Sequence, residues 1–223
     1  MRATNYAVAL AIGASLLGSA GSADELTLKP VKDTYVHSIN PTANYGHSED
    51  IWMGKGTFWN LGYARGLFQF DLSPLPKDPN LITSAIFSAY QYDTAPAAGG
   101  LPVEVKRITS AWDENTATWD NHPAYDDVTI WASANVGDSF QKTWINWDVT
   151  ALVKDQVGGD SQHLGWLLKS KWEQPAGASR LGYFRSTDYQ ANPALHPKLV
   201  VNFVPEPATL VLLALAAVRL RRW

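Results

Sequence analysis

Residues 144–149 read Trp-Ile-Asn-Trp-Asp-Val, and this short stretch decides how the chain folds. In this stretch apolar residues alternate with residues that are, taken together, more polar. The apolar positions are Ile145, Trp147 and Val149, and the alternate positions are Trp144, Asn146 and Asp148. A period of two places successive side chains on opposite faces of a β-strand. The stretch therefore predicts a strand with one face in a core and the other in solvent.

The same alternation recurs at residues 103–106 and 198–203. Further strands are predicted at 34–38, 50–54, 66–72, 83–92, 129–132, 165–170 and 181–185, and one or two helical turns at 149–157. Clusters of Gly, Pro, Asn and Ser separate these segments, as expected for turns. About ten strands without alternating helices predict an all-β fold, an antiparallel β-sandwich of jelly-roll type.

The body of the chain, residues 24–204, has the length of one domain with a substantial core. It carries 14 Lys and Arg against 20 Asp and Glu, a net charge of −6 with histidine neutral. This charge argues against nucleic acid as a partner. The chain has no cysteine, so disulfides, thiol chemistry and cysteine-ligated metals are excluded.

Both ends of the chain look like targeting segments. Arg2 precedes an apolar stretch at 7–17 and small residues at 18–23, the pattern of a secretory signal peptide over residues 1–23. The C-terminal segment, 205–223, has an apolar run at 208–218. As a helix this run would be ~16 Å long, whereas a bilayer core is about 30 Å thick. Targeting helices are therefore expected at both ends, and the C-terminal one is short for a span.

The order of features in the C-terminal segment is specific. Pro205, Glu206 and Pro207 precede the apolar run, and Arg219, Arg221 and Arg222 follow it. The segment resembles a PEP-CTERM sorting signal of Gram-negative bacteria. That resemblance implies the secretion machinery and an exosortase-type sorting enzyme as partners, and a precursor held transiently at the inner membrane. The product would then reach the cell surface or extracellular matrix. The alternatives are an ordinary tail anchor and a buried C-terminal helix.

A series of motifs runs through the body. In order they are Asp33-Thr34-Tyr35-Val36, Asn44-Tyr45-Gly46, the segment 65–73, Trp112-Asp113-Glu114-Asn115 with Trp119, the segment 148–153 and the segment 165–170. Together they resemble the DNRLRE domain, also classed as carbohydrate-binding module family 96. The resemblance implies a β-sandwich that binds polysaccharide.

Sugar binding needs flat apolar surfaces for the C–H faces of pyranose rings, together with groups that hydrogen-bond hydroxyls. The predicted carbohydrate-binding residues are Trp59, Arg65, Trp144, Asn146, Trp172 and Tyr183. Trp144 shares the polar strand face with Asn146. Arg65 could hold an acidic sugar in a bidentate fork.

Each of these assignments has an alternative. The tryptophans could cover sheet edges or fill the core, and Arg65 could pair with a nearby carboxylate such as Asp71. Trp112, Trp119, Trp147 and Trp166 are expected in the core or in structural turns.

No cofactor is expected. Carboxylates gather in loops that include Asp33, Asp50, Asp113 and Asp126, so a structural Ca²⁺ site in these loops stays an open alternative. The sequence has no His-Glu-x-x-His, Gly-x-Ser-x-Gly or phosphate-loop motif. The expected function is therefore a non-catalytic module that binds exopolysaccharide or cell-surface glycan. A structural matrix protein without sugar affinity is the main alternative, and a polysaccharide-degrading enzyme is a further one.

Overall fold

The computed structural model describes residues 23–56, 62–94, 100–136, 142–159, 163–171, 173 and 180–205. These residues form eleven strands and one α-helix. The strands are β1 (Asp24–Leu28), β2 (Pro30–His37), β3 (Asp50–Gly56), β4 (Gly62–Phe70), β5 (Ile82–Thr94), β6 (Leu101–Arg107), β7 (Ala132–Val136), β8 (Thr143–Asp148), β9 (Trp166–Ser170), β10 (Arg180–Arg185) and β11 (Lys198–Phe203), and helix α1 is Thr150–Gly158.

All of these strand pairs are antiparallel, and together they make one curled sheet. Its order is β1-β11-β5-β10-β3-β4-β9-β6-β7, with β2 added on β4 and β8 added on β5. The sheet curls into a half-barrel, so that its limbs enclose one core. The predicted antiparallel β-sandwich is confirmed.

Large aromatic side chains fill the inside of the curl. The ring of Phe87 on β5 lies 4.8 Å from Phe68 of β4 and 5.3 Å from Trp147 of β8, measured between centroids. Trp147 and Trp166 are fully buried, as expected, and Trp147 occupies a core-facing position of the alternation at residues 144–149. Trp147 Nε1 donates a hydrogen bond to the Val103 carbonyl at 3.0 Å, which ties β8 to β6. Burying each such side chain contributes about 2–3 kcal/mol.

Helix α1 begins where β8 ends. The Asp148 carboxylate accepts hydrogen bonds from the Thr150 N–H at 3.0 Å and from its hydroxyl at 2.6 Å. These bonds lower the pKa of Asp148 below its usual value. The helix buries Leu152 and Val153 against the sheet. The prediction of a short helix at this position is confirmed.

A second, smaller core lies on the outer face of β2, β4 and β9. Val36, Leu67 and Leu167 point outward there, and the long connection from β6 to β7 covers them with Ile108 and Trp112. Trp112 Nε1 donates to the Leu164 carbonyl at 2.7 Å. The covering connection also carries three further ring side chains, Trp119, His122 and Tyr125, onto Arg65 of β4.

The prediction of a strand at 129–132 is wrong, because β7 begins only at Ala132. The Asp126 carboxylate accepts hydrogen bonds from the N–H groups of Val128 and Thr129, and so bends the chain where a strand was expected. The side chains of Val128 and Ile130 are 91% and 52% exposed. Conversely, β1 was not predicted, and it pairs with β11 at the edge of the sheet.

No helix in the described ranges is long and apolar enough to cross a membrane. The predicted targeting helices fall on residues 1–22 and 206–223, outside the described residues. Of the sorting motif only Pro205 is described. Glu206, Pro207, Arg219, Arg221 and Arg222 are not, and their assignment stays a prediction.

Candidate functional site

A row of partly exposed aromatic rings crosses the outer face of the sheet over β3, β10 and β5. We call this row the aromatic belt. Its members are Tyr45, Trp52, Tyr92, Tyr183 and Tyr189. Strand alternation creates it, because Ile51, Met53 and Phe184 enter the core while the residues between them point outward.

The rings of the belt hold one another in place. Trp52 and Tyr183 are partners in the β3–β10 register, and their rings meet edge to face with centroids 5.0 Å apart. Tyr92 lies 6.4 Å from Tyr183. On the other side, Trp52 stacks on the buried Tyr35 at 5.5 Å, and Tyr45 stacks on Tyr35 at 4.3 Å. These contacts fix the ring orientations before any ligand arrives.

An arginine is built into the belt. The Arg185 guanidinium lies 3.8 Å from the ring centroid of Tyr92 and 3.9 Å from that of Tyr189. Its Nη1 donates to the Asp50 carboxylate at 2.7 Å. Cation–π contacts of this kind contribute about 0.5–2 kcal/mol each. The belt therefore presents a fixed guanidinium edge and carboxylate oxygens beside its apolar rings.

Two phenols of the belt, Tyr92 and Tyr183, have raised pKa values. Burial, followed by the hydrogen bond and charge of Asp50, raises the pKa of Tyr92 well above its usual value. Burial, with the charge of Asp93, raises the pKa of Tyr183 as well. Both hydroxyls keep their protons. Tyr92 donates its proton to the Asp50 carboxylate, whereas Tyr183 can donate to a sugar oxygen.

Two of the predicted carbohydrate-binding residues, Trp144 and Asn146, lie on the same outer face of the sheet as the belt. Trp144 is half-buried on β8, its ring 5.4 Å from that of Tyr90 on β5, and the Lys198 ammonium lies 4.6 Å from its centroid. Asn146 is exposed, and its Oδ1 accepts from the Ser88 hydroxyl at 2.7 Å. Tyr90 and the belt residue Tyr92 are two positions apart on β5 and share a face. The structure thus brings Trp144, Asn146 and Tyr183 together on one surface.

Arg65 belongs to a separate cluster on β4, beneath the long connection. It is only 8% exposed. Its Nε and Nη2 donate to the two carboxylate oxygens of Glu173 at 2.8 and 2.6 Å. The guanidinium carbon lies 4.3 Å from the ring centroid of Trp119. A paired carboxylate was one prediction for Arg65, but its partner is not Asp71. Asp71 lies six residues farther along the chain, about 20 Å in a strand, and binds the Ser73 N–H.

The remaining guanidinium nitrogen of Arg65, Nη1, faces His122 Nε2 at 2.9 Å. Since Nη1 is a donor, Nε2 accepts, and the imidazole proton sits on Nδ1 and points to the Pro123 carbonyl at 3.0 Å. Burial, and then the nearby Arg65 charge, lower the pKa of His122 and keep it neutral. Burial alone would lower the pKa of Arg65, but the hydrogen bonds and charge of Glu173 raise it above its usual value.

Two predicted residues, Trp59 and Trp172, lie outside the described residues. Among the described residues no group of three His, Asp or Glu could hold a metal ion. Of the loop carboxylates, Asp50 is paired with Arg185 and Asp126 with backbone N–H groups.

Sequence reasoning missed four members of the belt: Tyr45, Trp52, Tyr92 and Tyr189. A signal for one of them was present. Trp52 alternates with the buried Ile51 and Met53 inside a predicted strand, which places it on the solvent face with Asp50. Its contact with Tyr183 was not visible, because it depends on the pairing of β3 with a strand from the far end of the chain.

Comparison with known proteins adds to this geometry. A search of curated proteins returned no match to the sequence. A family model described as carbohydrate-binding module family 96 matches residues 24–202, which include all eleven strands except the end of β11. Because this match covers most of the chain and the whole aromatic belt, the protein belongs to carbohydrate-binding module family 96.

Proposed function

We propose that the protein is an exported, non-catalytic module that binds exopolysaccharide or cell-surface glycan through the aromatic belt. The observation that carries this proposal is the belt itself, a row of partly exposed rings on one sheet face that are linked by ring contacts, by the buried Tyr35 and by Arg185. The family supports a carbohydrate ligand. The rings, and the polar groups beside them, support the choice of this surface.

The chemistry of the belt suits a sugar chain. A pyranose ring has an apolar face of C–H groups and a rim of hydroxyls. Covering part of an exposed ring with such a face contributes about 1 kcal/mol at ~25 cal/mol per Å². Tyr183 offers a donor to the hydroxyls, and Asp93, exposed on β5 opposite Tyr183, offers acceptors. The ring contacts already fix the side chains, so little rotamer entropy is lost on binding.

Support for a non-catalytic role comes from the carboxylates of this face. Glycoside hydrolysis needs one carboxyl as acid and a second as base or nucleophile. Asp50 is held in an ion pair by Arg185, which leaves it poorly suited to act as an acid. Binding by stacking and hydrogen bonding needs no reactive group.

The two ends of the chain support export. Residues 1–23 would direct the chain to the secretion machinery, and residues 205–223 would hold the precursor at the inner membrane for an exosortase-type enzyme. The released domain would then act at the cell surface or in the extracellular matrix.

Affinity gel electrophoresis of the purified protein in gels containing different polysaccharides tests the binding proposal. We expect retardation by at least one polysaccharide, and loss of that retardation in Trp144→Ala and Tyr183→Ala. Trp131→Ala is the matched control, since Trp131 is half-buried beside Arg107 and is not a member of the belt. No retardation on any polymer would favour a purely structural matrix protein. Release of reducing ends from a polymer would favour an enzyme.

A further inference from the structure

The Arg65 guanidinium forms a carboxylate-binding position, which we call the carboxylate seat. In this protein it is occupied by the protein's own Glu173. Two parallel N–H···O bonds, from Nε and Nη2, reach the two oxygens of Glu173. A guanidinium makes the same fork with any carboxylate, including the C6 carboxylate of a hexuronic acid. What distinguishes the seat from an ordinary ion pair is its surroundings.

A half-buried aromatic ring and a second cation stand beside the fork. The Trp119 ring lies against the guanidinium at 4.3 Å, and Tyr63 stacks on Trp119 with centroids 6.5 Å apart. The Lys169 ammonium lies 3.6 Å from Glu173 Oε2 and 2.9 Å from Asp127. A hexuronate offers the two features that such a seat accepts, an apolar ring face and a carboxylate.

Glu173 arrives from a distant part of the chain, 108 residues from Arg65 and three residues after the end of β9. It belongs to none of the strands, so the sheet does not depend on it for a backbone hydrogen bond. An intramolecular carboxylate of this kind competes with outside carboxylates at a high effective concentration.

We propose that Glu173 is a specificity-determining residue, which occupies the carboxylate seat on Arg65 and so prevents polysaccharides rich in hexuronic acid from binding there. The protein consequently selects neutral glycans, although it carries the arginine, lysine and aromatic ring that an acidic sugar would need. This inference rests on the proposed function for its ligand class, but it concerns a different surface and can fail separately.

The test compares Glu173→Gln with the wild type on polygalacturonate and on a neutral β-glucan. The substituted amide would keep the shape of the side chain and lose its charge. We expect the affinity for polygalacturonate to rise about tenfold, as the internal competitor is weakened, with the behaviour on β-glucan unchanged. The double variant Arg65→Gln, Glu173→Gln should lose the gain, because the seat itself is gone.

Asp155→Asn is the matched control. It also removes one negative charge, and it also releases an arginine beside a tryptophan, because Asp155 pairs with Arg107 at 2.8 Å and Arg107 lies 5.7 Å from the Trp131 ring. We expect no gain from it. An equal gain in both variants, or a gain that survives loss of Arg65, would overturn the proposal. So would a folded Glu173→Gln protein with no gain, since Glu173 would then only fasten the chain after β9 to β4.

A second measurement needs no variant at all. In the wild-type protein labelled with ¹⁵N-arginine, the Arg65 Nε–H signal should stay in place when glucuronate is added, because Glu173 holds the seat. A saturable shift of that signal would overturn the proposal. Absence of β-glucan binding, by contrast, would count against the aromatic belt and leave the polygalacturonate comparison intact.

Discussion

Asp33 on β2 holds Thr187, which lies 154 residues later in the chain, through both of its carboxylate oxygens. One oxygen accepts from the Thr187 N–H at 2.9 Å and the other from its hydroxyl. Asp33 is 1% exposed, so the two bonds are shielded from water. They hold the segment after β10, and with it Tyr189 of the aromatic belt, against β2 near the start of the body.

This buried carboxyl should make stability depend on pH. Burial, only partly offset by the bonds to Thr187, raises the pKa of Asp33 from 3.8 to about 7. The folded state therefore binds a proton more tightly than the unfolded state does. The contribution to stability is complete below about pH 4 and is lost as the pH rises to about 7, with a total of a few kcal/mol at most. Thermal unfolding at pH 4, 5, 6, 7 and 8 measures this loss.

The variant Asp33→Asn isolates the effect. An amide imitates the protonated acid, since its oxygen accepts from the Thr187 N–H and its nitrogen donates to the hydroxyl. We expect the variant to match the wild type in stability at about pH 4 and to exceed it increasingly as the pH rises to 7 and above. Glu114 and Asp188 face the same carboxyl and remain in both proteins. Parallel pH profiles for the two proteins would refute the assignment.

Gly165→Ala should be strongly destabilising. Gly165 precedes β9 with φ of +103°, a conformation that residues with a Cβ rarely adopt, and an added Cβ would collide with the Phe68 carbonyl oxygen. We expect a loss of about 3 kcal/mol in the free energy of unfolding, measured by denaturant titration. Ser133→Ala, at an exposed position of β7, should change it by less than about 0.5 kcal/mol.

Arg185→Lys should weaken glycan binding more than it weakens the fold. Lysine keeps the charge but lacks the planar group that lies between Tyr92 and Tyr189. We expect about a fivefold loss of affinity for the retarding polysaccharide, with little change in the unfolding midpoint. Arg107→Lys is the control, because Arg107 also pairs with an aspartate and lies beside a tryptophan. Equal losses in both variants would show that the belt has no special role.

Replacing Pro205, Glu206 and Pro207 together by alanine should leave the protein in the membrane fraction, since the sorting enzyme would no longer recognise the segment. Cell fractionation followed by immunoblotting measures this retention. Alanine at Val128, Thr129 and Ile130, three exposed body residues, is the control and should not alter delivery. Normal processing of the first variant would contradict the sorting assignment.

The features that were predicted correctly from the sequence are those that depend on the alternation within one strand. Alternation at residues 144–149 placed Trp147 in the core and Trp144 outside it, because burial acts on each side chain through the face it occupies. The strand at 129–132 was mispredicted, since one carboxylate, Asp126, took up the backbone donors that a strand would have used.

Contacts between distant segments could not be predicted. The pairing of Arg65 with Glu173, and of Trp52 with Tyr183, depends on sheet order and register, which the local pattern does not encode. Asp71 was the nearer carboxylate in sequence, but an extended strand carries it away from Arg65. Of the belt itself only Tyr183 was therefore anticipated, together with Trp144 and Asn146 on the same outer face.

The pairing of β3 with β10 also determines when the aromatic belt can form during folding. Tyr45 and Tyr189 stand near opposite ends of the body, and the strands between them must pair before the rings can meet. Pairings of such long sequence separation form late and slowly. A chain that is still being synthesised therefore lacks this row of rings until its last strands have emerged, so under the proposed function it should bind no polysaccharide before folding is complete.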